Sequence, residues 1–395
     1  MPRRTLVLIF LLPILTGCSQ DDTVHFGAVL PLTGPYSVYG QSIEKGVALK
    51  FDEIAAREDF PYKLELTVLD SESNPERAKE LLAELFSNHA LAVVGGVTTA
   101  EALAMVSVAD RYDQVLISPS ASSPELTGIS KNFYRLFPSD ATEGRAMAAF
   151  AITELGIKTV VILAKEDAYA KGIQEVFKQK IESSGGEILD LVQFPEGAEV
   201  SGLVDRVMTL GPEAVYLAAY AQDIGEMIKE LRRKEFKGTI FTTSAFSAPE
   251  VIEQVGQPAE GVYLTQAAFD LDSDKPLIKE FVAMYREKYG LSPDLYAAHG
   301  YDAVIALIES LGKTGPKKSD FRKGLRALLE VPGVTGPIQF DEKGGVSKFP
   351  RVYVVRKGNL VDYKGVVEEE RRKLLEQLRK LQDAKRRAAM GARGN

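Results

Sequence analysis

The chain has 395 residues, 45% hydrophobic and 26% charged, enough for two or three compact units; this composition excludes disorder and a multi-span membrane protein. Its 48 basic and 55 acidic side chains give a formal charge of −7, which argues against a nucleic-acid backbone as partner. One cysteine, three histidines and no tryptophan exclude a disulfide framework and a cysteine-rich zinc site.

Arg3 and Arg4 precede an apolar run over residues 6–15 that Pro13 interrupts. About ten residues reach across only half a bilayer core, so the run reads as the apolar part of a signal peptide, residues 1–17. Leu15-Thr16-Gly17-Cys18 resembles the bacterial lipobox, and the chain's one cysteine stands at the position that is lipidated. Cys18 is therefore the expected anchor, with Ser19-Gln20-Asp21-Asp22 as a short polar tether. The mature protein is expected outside the cytoplasm, tethered to a bacterial membrane and not embedded in it.

From Val24 onward, short apolar runs alternate with amphipathic stretches. Strands are predicted over 24–30, 64–69, 91–94 and 115–118, with helices over 41–56, 75–86 and 99–111. Pro75 after Asn74 marks a helix start. The rhythm resumes with a helix over 141–155, then strands over 160–163, 188–194, 214–217 and 239–243, with helices between them. Such alternation predicts α/β architecture, with two doubly wound parallel-sheet lobes covered on both faces. Open sheets of this kind bind ligands beyond the carboxyl ends of their strands, so two facing lobes form a cleft.

Motifs for catalysis are missing from the sequence. No G-x-G-x-x-G follows a strand, and H-E-x-x-H and G-x-S-x-G are absent. Gly312-Lys313-Thr314 looks like the end of a phosphate-binding loop, but Leu307 stands where its first glycine belongs. His25, His89 and His299 are scattered and read as structural. No enzyme activity, cofactor or metal is expected.

Two stretches carry recognition chemistry. In Val94-Gly95-Gly96-Val97-Thr98-Thr99-Ala100-Glu101, a buried strand runs into a glycine turn and a helix start. Thr98 and Glu101 have capping-box spacing, which makes Thr98 a structural cap and leaves Thr99 to face a ligand. Ser118, Ser120, Ser122 and Ser123 follow another strand end; turn chemistry and ligand contact both fit them.

These motifs, taken in order, resemble the leucine/isoleucine/valine-binding family of ABC-transporter solute receptors, which have the type I periplasmic-binding-protein fold. The resemblance rests on residues 27–35, Tyr39-Gly40, Asp52-Glu53-Ile54, Val94-Gly95-Gly96, Ile117-Ser118-Pro119 and Pro124-Glu125-Leu126-Thr127. Phe133-Tyr134-Arg135, Pro138-Ser139-Asp140 and Tyr301-Asp302-Ala303-Val304 extend it across most of the chain. It implies a first lobe of residues 18–139 and 270–340, a second of 140–269 and 341–365, and a three-strand hinge. Its functional implication is a monomeric receptor that closes around a small solute and delivers it to an ABC permease. A ligand-sensing module on the same fold is the alternative.

Position by position, the resemblance implies that Thr99 and Ser122 meet a ligand carboxylate and that the Ser120 carbonyl meets an ammonium. Tyr39, Tyr169 and Tyr220 would line the walls, although tyrosines also pack without touching ligand. Amino-acid-binding members carry an acid where this chain has Ser244. Either Asp223 or Asp167 replaces it, or the ligand lacks an ammonium, with its body packed on Tyr169, Tyr220 and Phe246. The second expectation points to carboxylates or amides. Residues 366–395 form a charged helical tail, in which Glu368/Arg372, Glu369/Lys373 and Glu376/Lys380 pair at i,i+4 and Leu374, Leu378 and Leu381 share a stripe. It reads as a solvated helix.

Overall fold

The computed structural model describes residues 23–391; the expected signal segment and Cys18 lie outside the described residues. The first lobe begins with β1 (Thr23–Leu30), α1 (Ser37–Ala55), β2 (Lys63–Asp70) and α2 (Pro75–Ser87). Asn74 starts α2 by accepting the Glu76 and Arg77 N–H groups at 2.9 and 3.1 Å, with Pro75 fixing the first helical turn. β3 (Ala92–Gly95), α3 (Thr99–Tyr112), β4 (Val115–Ser118) and β5 (Phe133–Arg135) follow. β3 and β4 are buried at every position, as four-residue apolar runs in the middle of a sheet should be. The five strands are all parallel, in the order β2-β1-β3-β4-β5.

Past β5 the chain crosses to the second lobe. There α4 (Asp140–Thr153), β6 (Thr159–Lys165), α5 (Ala168–Ser183), β7 (Glu187–Phe194) and α6 (Val200–Leu210) alternate, followed by β8 (Ala214–Ala218), α7 (Ala221–Arg233), β9 (Thr239–Thr242), α8 (Pro249–Val255) and β10 (Tyr263–Ala267). A second crossing returns the chain to the first lobe through α9 (Pro276–Tyr289), α10 (Leu295–Thr314) and α11 (Lys318–Arg326). Phe321 of α11 packs on Phe26 of β1 with ring centroids 6.1 Å apart.

The third crossing comes later than expected. Residues 341–347 stay with the first lobe, where the Gly344 carbonyl accepts the Arg135 N–H at 2.9 Å and Phe340 bridges Val346. The chain then enters β11 (Pro350–Arg356), β12 (Asn359–Asp362) and α12 (Tyr363–Gly391). β11 and β12 run antiparallel, so the second sheet is mixed, ordered β12-β11-β10-β9-β8-β6-β7. Lys357 and Gly358 join them with φ of 52° and 73°, the left-handed pair that a two-residue hairpin requires. In α12 the Glu369–Lys373 and Glu376–Lys380 pairs form at 2.6 and 2.8 Å, and Leu374, Leu378 and Leu381 are exposed.

The first lobe depends on one close helix crossing. α10 is buried along most of its length and lies against α1. A Cβ on Gly46 of α1 would sit 1.9 Å from the Ala297 carbonyl oxygen, and one on Gly300 of α10 would sit 2.4 Å from that of Ile43. Backbone touches backbone here, and no rotamer change can make room. Gly46→Ala should therefore lower stability by about 3 kcal/mol or more. Gly312→Ala, on the same α10 but with nothing within 4 Å of its Cβ, should be neutral or gain up to about 1 kcal/mol. Urea unfolding of the two variants checks the contrast.

Candidate functional site between the lobes

The carboxyl ends of β3 and β4 face those of β6, β8 and β9 across a cavity. Thr99, Ser120, Ser122, Tyr39, Tyr169, Tyr220 and Ser244 all line it. From the first lobe, Thr98 caps α3: its Oγ1 accepts the Glu101 N–H at 3.2 Å, and Glu101 Oε2 accepts the Thr98 N–H at 3.1 Å. Ser71 donates to the other Glu101 oxygen at 2.6 Å. This leaves Thr99 on the cavity wall, 1% exposed, with an Oγ1 that has no hydrogen-bond partner. A buried hydroxyl without a partner is costly and normally finds one.

The serine loop divides its work. Ser118 holds the turn, its Oγ donating to the Gly96 carbonyl at 2.7 Å and accepting the Ala121 N–H at 2.9 Å. Ser123 caps the short turn after it. Ser120 and Ser122 face the cavity; the Ser120 hydroxyl donates to the Val97 carbonyl at 2.7 Å. Ser118 and Ser123 thus serve the turn, while Ser120 and Ser122 line the cavity.

From the second lobe, Tyr169 follows β6, Tyr220 follows β8 and Ser244 follows β9. The Tyr169 hydroxyl donates to Thr243 Oγ1 at 2.8 Å, and its ring packs on Tyr220 at 5.0 Å between centroids. Phe246 is wholly buried in the lobe's core and does not line the cavity. Asp223 does not line it either: it pairs with Lys165 at 3.0 Å in a neighbouring hollow beyond Tyr220. Asp167 caps α5, where its Oδ1 accepts the Ala170 N–H at 2.7 Å.

Sequence reasoning missed two carboxyls on the first turn of α4. Asp140 and Glu143 are both fully buried. Asp140 Oδ2 lies 3.0 Å from Ser122 Oγ, while its Oδ1 has no partner. Glu143 Oε1 accepts the Ser244 N–H at 2.7 Å, and its Oε2 lies 3.0 Å from Ser244 Oγ. Burial pushes both carboxyls above the usual range. The Glu143 charge raises Asp140 further against the pull of Ser122 and Arg135, whereas the Ser244 N–H and hydroxyl draw Glu143 back down. Arg135 spends its hydrogen bonds on the Ser122 and Ser123 carbonyls, at 3.1 and 2.7 Å, and on Thr127.

Tyrosine hydroxyls fasten the two lobes directly. Tyr39 of α1 donates to the Ala245 carbonyl at 2.8 Å and accepts the Ala221 N–H at 2.9 Å. Tyr296 of α10 donates to the Ser244 carbonyl at 3.0 Å. Tyr39 thus lines the cavity, while its hydroxyl is committed to the opposite lobe. Tyr39→Phe should leave Ala221 and Ala245 unpaired in the closed form only, at about 1–3 kcal/mol. Small-angle scattering should then give a larger mean radius of gyration for the variant than for the parent chain without solute.

A sequence profile of the periplasmic binding protein family matches residues 23–358. The leucine-, isoleucine-, valine-, threonine- and alanine-binding protein of Pseudomonas aeruginosa is 25% identical over 336 residues, 83% of this chain and 88% of the relative. The structure of a leucine-binding protein from Thermotoga maritima superposes with a TM-score of 0.81 at 29% identity, covering 86% of this chain and 97% of that one. The branched-chain amino-acid receptor of Streptococcus pneumoniae, solved with isoleucine, has the same fold at 24% identity, with a TM-score of 0.81 over 86% of this chain and 97% of its own. These relatives are solute-binding proteins and not enzymes. With 336 residues in register with the family and its strand ends facing across one cavity, the chain belongs to the periplasmic binding protein family.

Proposed function

We propose that the chain captures a small solute with a carboxylate or amide head, an amino acid or a related organic acid, between its lobes and hands it to an ABC permease. The lobes close by hinge motion about the three crossings, and the solute contacts both lobes only in the closed form, which shifts the population toward closure. Thr99 and Ser122 receive the polar head, Ser120 and Ser244 contribute on either side of it, and Tyr169 and Tyr220 pack on the body. Tyr39 closes the wall. The protein acts as a monomer, held at the membrane through lipid on Cys18.

One observation carries this reading: Thr99 Oγ1 is buried on the cavity wall with its hydrogen bond unmade. A solute oxygen supplies the partner that the protein lacks. The names of the Pseudomonas aeruginosa and Thermotoga maritima relatives describe amino-acid ligands, which all bear a carboxylate.

Two measurements test it. Thr99→Val keeps the shape and removes the orphan hydroxyl, so stability should hold or rise while affinity falls by about 1–3 kcal/mol, roughly 5- to 150-fold. Ser122→Ala should lose affinity on the same scale. Calorimetry with amino acids, their deaminated acids and their amides measures this, and unchanged affinity in both variants moves the head group elsewhere. Separately, Cys18→Ser should shift the protein from the membrane fraction to the soluble fraction; equal partition of the two forms removes the anchor.

A further inference from the structure

The cavity serines are polarised by what stands behind them. A serine hydroxyl has one proton, and whichever group takes it decides what the oxygen shows on its other side. Ser244 lies between the cavity and Glu143, with the carboxyl 3.0 Å behind its Oγ. The Ser244 backbone N–H donates to the other Glu143 oxygen, so both oxygens of this carboxyl have donors within reach. Asp140, one helical turn away on the same face, has a partner for one oxygen only.

Asp140 is fully buried and is raised by burial and by the Glu143 charge, which disfavours ionisation of both carboxyls together. The negative charge resides where donors meet both oxygens, which is Glu143; the orphan oxygen of Asp140 fits the neutral acid. Ser244 then gives its proton inward to Glu143 and turns lone pairs toward the solute. At Ser122 the hydroxyl donates to Asp140 Oδ2 at 3.0 Å; once Asp140 is neutral it can donate to Ser122 Oγ instead, which frees the Ser122 proton for a solute carboxylate. One cavity thereby presents donors at Thr99 and Ser122 and an acceptor at Ser244.

We propose that Glu143, acting through the Ser244 hydroxyl, is the positioning residue that makes this site select a solute with a cationic N–H donor opposite its carboxylate. The inference rests on the function proposed above and specifies its solute. It also gives Ser244 a meaning other than a missing acid: the acid is present one layer back and reaches the cavity through a relay. The solute ammonium in turn supplies the positive charge that keeps Glu143 ionised when the cleft is closed.

The test compares solutes that differ only in the ammonium, leucine against 4-methylpentanoate and phenylalanine against 3-phenylpropanoate, by calorimetry on the full chain. The parent protein should favour the amino acid of at least one pair. In Glu143→Gln the new amide accepts the Ser244 N–H and donates to Ser244 Oγ, so the hydroxyl proton swings into the cavity. The amino-acid preference should fall at least tenfold, through weaker amino-acid binding with acid binding held or improved. Ser244→Ala, a smaller change, should also cut the preference and decides the matter if Glu143→Gln does not fold. A merely structural Glu143 would weaken both members of a pair alike, and that result overturns the proposal. A parent protein that prefers the deaminated acids leaves the binding function standing and overturns the relay. One that binds neither member of either pair, nor their amides, removes both.

Discussion

Closing two sheets over a polar cavity strips water from groups that the protein cannot all satisfy by itself. Leaving a buried donor or acceptor unmade costs about 1–3 kcal/mol, enough to hold a cleft open until something arrives to complete it. Among the residues that line the cavity, Thr99 carries the buried side-chain atom with no partner. Thr99 Oγ1 and Asp140 Oδ1 are without partners, while the serines beside them are already bonded within the protein. A solute that supplies what Thr99 lacks makes the closed form favourable, and one that cannot leaves the cost in place.

The scaffold's role is to bring these groups to one point. Parallel strands end together, so the loops after β3, β4, β6, β8 and β9 converge without any long excursion. Their positions are fixed by rigid neighbours: the Thr98–Glu101 cap on one side, the α1–α10 backbone contact beneath, and the Tyr169–Thr243 bond on the other. Tyr39 and Tyr296 add bonds between the lobes that need no solute. Closure is therefore a balance between lobe–lobe bonds that form on closing without solute and bonds that only a solute completes.

Local chemistry was legible in the sequence and long-range chemistry was not. Asn74-Pro75 and Thr98-x-x-Glu101 announce helix starts because the interacting groups lie within three residues of each other. The glycine turn after a strand pointed to Thr99 and the family resemblance to Ser122 and Tyr220, and the structure gathers these on one cavity. The antiparallel hairpin β11–β12 and the late third crossing were not legible, since the pairing of β11 with β10 depends on residues nearly ninety positions apart. Glu143 escaped for the same reason: its partner Ser244 is 101 residues away, and on α4 it looked like any first-turn acid. Asp223 and Asp167 drew attention by their nearness to loop residues in sequence, but an ion pair with Lys165 and a helix cap account for them.

The most direct measurement of this account is a crystal structure of the mature protein with the solute that most raises its melting temperature. The account predicts closed lobes, a solute oxygen within hydrogen-bonding distance of Thr99 Oγ1, and a solute nitrogen facing Ser244 Oγ. A solute seated instead in the hollow by Lys165 and Asp223, with Thr99 Oγ1 still unpartnered, would contradict it.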